Sequence, residues 1–332
     1  MKKTVLLILF FTNILFAKSA FIKMCENPTL SQKDTLKAII IEDSFAFGTK
    51  KLEEVKCINL ERYLKNTTSL YFSPRKISDL TPLQYFSNFK RLTIQTNNIE
   101  NLTPLLKLIN LRKLSIIDNP IKDISILKNF PKLTNLTLNL KDIKDISPIQ
   151  NLQNLRFIHF INVKNVNFKY FKYLKKLEDV SISYSNIKNL CFLNQLTRLE
   201  QLKLSDANIN DIACLTNLKN IKNLDLGTNN ITDLSSIKNF SNLIYLQLFQ
   251  NPVSDLSPLL ELKHLKWLGL DSTKVDDISI LKPLLPTLKK VRLGITEVKW
   301  CSPKDIKELR DGKSCLNEDG TLKPFYKRWL GI

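Results

Sequence analysis

Few residues in this 332-residue sequence are of the types and spacings that catalysis requires. A hydrolytic triad needs a histidine, and the chain has only two, His159 and His264. We find no glycine-rich loop for phosphate, no nucleophile elbow and no zinc motif. The sequence therefore predicts a protein that is not an enzyme and that uses no cofactor.

Six cysteines are the other residues that could do chemistry. None lies in a Cys-x-x-Cys unit, so no metal site is expected. Proximity along the chain predicts three disulfides, which are Cys25 with Cys57, Cys191 with Cys214, and Cys301 with Cys315. Disulfides persist mainly outside the cytosol, so these pairs are expected in an exported protein.

The first 19 residues have the form of a secretory signal peptide. Lys2 and Lys3 precede an apolar run of about a dozen residues, and Ala17-Lys18-Ser19 is a small-x-small cleavage site. An uncleaved membrane anchor is the alternative, but the run is short for a bilayer span. No later stretch is long and apolar enough for a transmembrane helix. We therefore expect an exported protein, periplasmic or secreted, with its signal peptide at residues 1–19.

The sequence is strongly basic. Its formal net charge is +19, and +16 without Lys2, Lys3 and Lys18. Such a charge attracts anionic partners, for example envelope lipid, polysaccharide or nucleic acid. Lysine greatly outnumbers arginine, whereas phosphate-reading surfaces favour the planar guanidinium. We expect no nucleic-acid partner, and an anionic envelope component stays open as an alternative.

The sequence repeats with a period of 22 residues. One column of isoleucine or valine recurs at steps of 22 or twice 22, namely Ile77, Ile99, Ile121, Ile143, Ile187, Ile209, Ile231 and Val253. The unit reads L-x-L-x-x-N-x-I-x-D-L-x-P-L-x-x-L-x-x-L-x-x, as in LDLGTNNITDLSSIKNFSNLIY. A single unit cannot bury its leucines, so about eleven units are expected to stack into a solenoid.

Each part of the unit predicts a structural role. The L-x-L pair predicts a short strand that pairs in parallel with the strand of the next unit. Asn229 and Asn251 follow their strands, where an amide can satisfy the backbone of a turn. Ser257-Pro258 predicts an N-cap and the start of a short helical turn. The acidic column represented by Asp255 predicts turn capping, because one carboxylate per unit is too few for calcium.

This pattern resembles the leucine-rich repeats of bacteria, specifically the 22-residue class of the internalins. The similarity covers residues 64–298. It implies a curved α/β horseshoe with a parallel sheet on the concave face, short helical turns on the convex face, and protein binding on the concave side. No immunoglobulin-like segment or cell-wall sorting signal follows the repeats, so the resemblance implies neither host-cell invasion nor surface anchoring. Cys191 and Cys214 are then expected on adjacent convex turns, either as a disulfide or as two buried thiols.

Both ends of such a solenoid need a cap over their leucines. Two helical patterns, SQKDTLKAIIIED and KKLEEVKCINLERYL, predict a helical N-terminal cap at residues 20–63. Residues 299–332 predict a small C-terminal cap that covers the last coil with Trp300, Phe325, Tyr326 and Trp329. A ligand pocket is the alternative role of these aromatic residues. The repeat domain between the two caps is expected to hold about eleven units, at residues 64–298.

Large side chains interrupt the expected concave face, on which most positions are polar. The exceptions form two patches, Tyr245 with Phe249 and Trp267, and Phe157 with His159 and Ile161. Rigid aromatic residues on a polar surface are typical of interface hot spots. A cross-strand pair that only stabilises the sheet is the alternative role of Tyr245 and Trp267.

Together these features predict an exported, non-enzymatic scaffold that binds a protein of unknown identity through its concave surface. The alternative is a cationic protein that binds lipid or polysaccharide of the cell envelope. Salt should separate the two, because ionic binding weakens with ionic strength and an interface centred on aromatic residues largely survives.

Overall fold

The computed structural model describes residues 18–293 apart from residues 188, 277 and 285. Most of the predicted signal peptide, the Cys301 and Cys315 pair, and the predicted C-terminal cap lie outside the described residues.

The described repeats form one parallel sheet of eleven strands in chain order. The strands are β1 Ser69–Phe72, β2 Arg91–Gln95, β3 Lys113–Ile117, β4 Asn135–Asn139, β5 Phe157–Ile161, β6 Asp179–Ser183, β7 Gln201–Lys203, β8 Asn223–Asp225, β9 Tyr245–Gln247, β10 Trp267–Gly269 and β11 Lys290–Arg292. Strand leucines pair one repeat apart, for example Leu224 with Leu246. The predicted 22-residue solenoid with a parallel sheet is therefore confirmed.

Short 3₁₀ turns lie opposite the sheet, and the repeat leucines are buried between the two layers. These turns span Thr81–Tyr85, Thr103–Lys107, Ser125–Asn129, Ser147–Asn151, Phe168–Tyr173, Cys191–Leu193, Ser235–Asn239, Ser257–Glu261 and Ser279–Leu284. The unit between β7 and β8 has no such turn in the described structure. Because a helical turn takes more length along the stack than a strand of the sheet, the solenoid curves with the sheet on its concave side.

The convex turns are capped by the acidic column and not by the hydroxyl residues. Ser257 lies inside its turn, and Leu256 occupies the N-cap position without a side-chain hydrogen bond. The Ser257 backbone N–H donates to Asp255 Oδ1 at 2.8 Å, and its hydroxyl donates to Asp255 Oδ2 at 2.9 Å. The same bonds from Ser235 lower the pKa of Asp233. The predicted hydroxyl N-cap was therefore wrong, and the predicted capping role of the acidic column is confirmed.

A buried asparagine stabilises the bend that follows a strand. Thr228 adopts a φ of 53°, a left-handed conformation that is costly for residues other than glycine. The next residue, Asn229, accepts hydrogen bonds from the backbone N–H groups of Ala207 and Ile209 at 3.1 and 3.0 Å. Its amide donates to the carbonyl oxygen of Leu204 at 2.7 Å, and also to carbonyls of its own unit. One side chain therefore satisfies backbone groups in two consecutive units.

Four helices precede the first strand. They are α1 Ala20–Glu26, α2 Leu30–Glu42, α3 Ser44–Phe47 and α4 Cys57–Asn66. The second predicted helix begins only at Cys57, because Leu52–Glu54 forms a separate 3₁₀ turn and Val55 is extended. No helix in residues 18–293 is long and apolar enough to cross a bilayer.

The helices pack on the first repeat. The Phe21 ring of α1 contacts the Phe86 ring edge to face, with 5.0 Å between ring centres. From α2, the Gln32 amide donates to the Thr81 hydroxyl at 3.0 Å. These contacts shield the apolar side chains of the first unit from water.

Two disulfides lie in the described part of the chain. Cys25 in α1 is bonded to Cys57 in α4. Cys191, in the turn Cys191–Leu193, is bonded to Cys214, in the segment between β7 and β8. Both pairs are those that the sequence predicted. For Cys191 and Cys214 the disulfide replaces the alternative of two buried thiols.

Candidate functional site

Two aromatic rings stack on the concave face of the sheet. Tyr245 in β9 lies directly opposite Trp267 in β10. Their ring centres are 4.1 Å apart and their planes differ by 9°. Both side chains are only partly buried, so the stack keeps a surface exposed to solvent. The adjacency that the repeat register predicted is therefore present.

Phe249 lies apart from this stack. Its ring covers Gly227 of the preceding unit, where a Cβ atom would overlap ring carbons Cε1 and Cδ1. Phe249 forms no ring contact with any other aromatic residue of the described chain. The predicted aromatic patch, Tyr245 with Phe249 and Trp267, therefore consists of a stacked pair and a separate ring that lies toward β8.

A buried amide lies beside the stack. Gln247 is 8% exposed, although it occupies an outward position of β9. Its Oε1 lies over Gly269, where a Cβ atom would collide with it, and has no hydrogen-bond partner. Oδ2 of Asp271 is likewise buried and without a partner, while its Oδ1 accepts from Arg292 Nε at 3.0 Å. Two acceptor atoms on adjacent units thus lack donors.

The surroundings of the stack are acidic. Burial raises the pKa of Tyr245, and the nearby carboxylates of Asp225 and Asp271 raise it further, against the opposing charge of Arg292. On the concave side of β8, β9 and β10 with the residues just after them, the outward positions carry these two carboxylates and neither lysine nor arginine. In a chain with 50 basic and 31 acidic residues, this is a local reversal of charge.

The second patch lies four strands away in β5, about 19 Å along the sheet. Phe157, His159 and Ile161 are all partly buried on the concave face. Burial lowers the pKa of His159, the charge of Lys203 also lowers it, and Asp179 opposes both effects. The structure does not bring the two predicted patches into contact.

The structure offers little to support chemistry elsewhere. Within residues 18–293, no group of three or more His, Cys, Asp or Glu side chains could hold a metal ion. His264 lies exposed in the loop before β10, far along the sheet from His159 in β5.

Solved structures with the same architecture identify the fold. Internalin InlF from Listeria monocytogenes is 26% identical, with a TM-score of 0.66 over 79% of this chain and 82% of that one. The functional domain of InlJ from the same species, which includes a cysteine ladder, is 20% identical with a TM-score of 0.57, over 83% of this chain and 64% of that one. This chain is an internalin-like leucine-rich repeat protein.

The fold extends to more distant proteins. Drosophila Toll, in its complex with Spatzle, is 17% identical with a TM-score of 0.54, over 72% of this chain and 34% of the matched chain. At such identity the similarity concerns the fold alone. No protein-family model and no curated protein matches the sequence.

Sequence reasoning missed the polar part of the candidate site in this internalin-like protein. Gln247, Asp225 and Asp271 stand at ordinary polar positions of the repeat, so their types alone did not single them out. The glycines were an available signal, because the chain has only seven. Gly227 and Gly269 replace side chains at outward positions beside the aromatic residues, where large neighbours can lie flat on the sheet.

Proposed function

We propose that this protein is an exported, non-enzymatic scaffold that captures another protein through its concave face. The observation that carries the proposal is the partly exposed stack of Tyr245 and Trp267 on a surface that is otherwise mostly polar. Two disulfides support an exported location, since such bonds are rare in the cytosol.

A rigid surface favours such a role. The concave face is a continuous sheet whose strands hydrogen-bond to both neighbours, so little conformational freedom is lost when a partner binds. Aromatic side chains that are fixed in advance supply large contact area at low entropic cost. A purely stabilising cross-strand pair would also stack, so the two roles must be separated by experiment.

The test is affinity capture by the exported chain from its own cell envelope and culture medium. Tyr245→Ala with Trp267→Ala should abolish capture, because it removes the central contact area. The melting temperature should fall only modestly, since both rings are partly exposed and their stacking adds about 1 kcal/mol beyond the area that they bury. Leu106→Ala with Ile109→Ala is the matched control, because both are large exposed side chains on the convex side, in the turn Thr103–Lys107 and just after it.

Retained capture by the concave double variant would contradict the proposal. A large loss of folding stability in that variant would instead support the purely structural role of the stack.

A second candidate function rests on the convex turn Phe168–Tyr173. There the Lys169 and Lys172 ammonium groups lie 5.1 and 5.0 Å from the ring centres of Tyr170 and Tyr173. Lysine and tyrosine together suit the interface of an anionic membrane. If this surface binds lipid, the protein should sediment with phosphatidylglycerol vesicles at low salt and not with phosphatidylcholine vesicles. Lys169→Gln with Lys172→Gln should then weaken that binding, and no sedimentation would exclude this candidate.

A further inference from the structure

Two buried acceptor atoms of the concave site have no hydrogen-bond donor among the described residues. Gln247 is more than nine-tenths buried, and its Oε1 is directed over Gly269 without a partner. Asp271 Oδ2 is also without a partner. Buried acceptors normally find donors, so two unsatisfied ones on neighbouring units call for an explanation.

Asp225 adds a third acceptor group on the other side of the stack. Its Oδ1 accepts from the Gly227 backbone N–H at 3.0 Å. It forms no ion pair with any described residue, although its charge raises the pKa of Tyr245. Because Trp267 covers the face of Tyr245 toward β10, the open face of the Tyr245 ring is the one toward β8. Asn223 lies directly opposite Tyr245 on that strand, and Asp225 lies diagonally across from it.

The β11 side of the same site already holds a cation. Arg292 of this chain donates from Nε to Asp271 Oδ1 at 3.0 Å, next to the unit that carries Trp267. This contact shows that a carboxylate of this surface binds a guanidinium group. The β8 side combines the same components, a carboxylate and an aromatic ring face. Lys203 of β7 is the cross-strand neighbour of Asp225, but no hydrogen bond or ion pair joins the two side chains.

From these contacts we infer that the captured protein inserts a lysine or arginine side chain between Asp225 and the open face of Tyr245. The inference rests on the proposed function and names the chemistry of the partner at that site. A guanidinium or ammonium group has only donors, which matches the carboxylate of Asp225, a group that can only accept. The carboxylate supplies charge-assisted hydrogen bonds, and the ring face adds a cation–π contact.

Charge complementarity favours this occupant over an anionic one. An anion would meet Asp225 and Asp271 with no lysine or arginine among the outward positions of β8 to β10. An apolar side chain would leave the carboxylate of Asp225 desolvated and unpaired, which is unfavourable. A basic side chain is the class of group that the site can both pair and stack.

The test uses two small peptides and isotope-labelled protein recovered after export. The probe is acetyl-Ala-Arg-Ala-amide, and its control replaces arginine with citrulline, which has nearly the same shape without the charge. In an NMR titration, the arginine peptide should shift the signals of the Trp267 indole N–H and the Gln247 side-chain amide, and these shifts should saturate. The affinity of the citrulline peptide should be about tenfold lower, because charge and cation–π attraction are both lost.

Asp225→Asn with Asp271→Asn should lower the affinity for the arginine peptide by about tenfold as well. Asparagine keeps an oxygen for the Gly227 N–H, so the local backbone bond is preserved. The matched control is Glu100→Gln with Asp142→Asn, which changes the net charge equally at two exposed sites away from the patch. That control should bind like the wild type.

Equal affinity for the two peptides, or unchanged binding by the concave variant, would overturn the inference. Suppose that the Tyr245 and Trp267 double variant loses partner capture, but that the wild-type protein binds the two peptides with equal affinity. The proposed function then stands, and only the insertion of a basic side chain of the partner is ruled out. If that variant keeps capture, the proposed function itself fails.

Discussion

Gly227 and Gly269 determine how the large side chains of the site lie on the sheet. Phe249 covers Gly227, and the Gln247 amide covers Gly269, each in space that a Cβ atom would occupy. A glycine in a strand weakens it intrinsically, so its presence often marks the close approach of another group. In this molecule the approaching groups are the side chains of the candidate site.

The packing of Phe249 on Gly227 gives a test by double-mutant cycle. Gly227→Ala should destabilise the protein by about 1 to 3 kcal/mol, because the new methyl group displaces the ring. In a Phe249→Ala background the same change should cost much less, since the ring is gone. Urea unfolding of the four proteins measures the coupling. Equal costs in the two backgrounds would show that the ring does not lie over Gly227.

His159 should make folding stability sensitive to acid. Burial places its pKa below 6.5 in the folded protein, so the unfolded chain binds the proton more tightly. The associated stability is present above about pH 6.5 and is lost as pH falls through the folded-state pKa. Burial raises the pKa of Asp179, so the folded protein binds this proton more tightly than the unfolded chain does. Its contribution to folding stability therefore increases as the pH falls and opposes the effect of His159.

The measurement is urea unfolding of wild type and His159→Gln between pH 7.5 and 5, with NMR titration of the His159 ring. As the pH falls through that window, the free energy of unfolding of the wild type should decrease relative to that of His159→Gln. A titration midpoint at or above 6.5 for His159 would contradict the burial that the structure shows.

At the scale of the element, the repeat unit is held together where the strand ends. The left-handed residue that begins the bend is costly, and the buried asparagine after it offsets that cost by bonding backbone groups of two units. Where asparagine is absent, as at Thr273, a hydroxyl donates to the carbonyl oxygen of Leu270 within its own unit, at 2.8 Å. The asparagines therefore link units as well as closing turns.

Asn229→Ala should lower the free energy of unfolding by about 2 to 4 kcal/mol, because it leaves buried N–H and C=O groups unpaired. The matched control is Asn230→Ala. Asn230 is exposed and its amide donates to Asn208 Oδ1, so its loss should cost about 0.5 kcal/mol or less. Denaturant unfolding compares the two variants, and similar costs would argue against the bridging role of Asn229.

The elements also show what a repeat pattern can and cannot predict. Strand positions, their pairing and the outward register of Tyr245 and Trp267 follow from a period of 22, because stacked units repeat the same geometry. The capping of Ser257 did not follow, because a hydroxyl before proline fits both the N-cap and the first helical position. The helix that begins at Cys57 was predicted too early, since the apolar spacing continues through a 3₁₀ turn.

At the scale of the whole molecule, the site depends on contacts between side chains of different repeats, and the repeat pattern of the sequence does not specify these contacts. Gln247 is buried by large neighbouring side chains and by its position over Gly269. These residues come from different repeats or from different outward positions. The net positive charge likewise hides the local acidity around Asp225 and Asp271, which becomes visible only when adjacent strands are placed side by side. The sequence therefore predicted the register of Tyr245 and Trp267 correctly and missed the neighbouring polar groups, while the binding role of this surface stays a prediction.

The central claim is that the concave face contacts a protein partner. A photo-crosslinking amino acid such as benzoylphenylalanine, placed in cells that make this protein, tests it directly. Lys203 in β7 and Lys290 in β11 are exposed on either side of the stack, whereas Leu106 and Tyr173 are exposed on convex turns. We expect irradiation to attach a protein of defined mass from positions 203 and 290 and not from 106 or 173. Adducts from the convex positions alone would contradict the account.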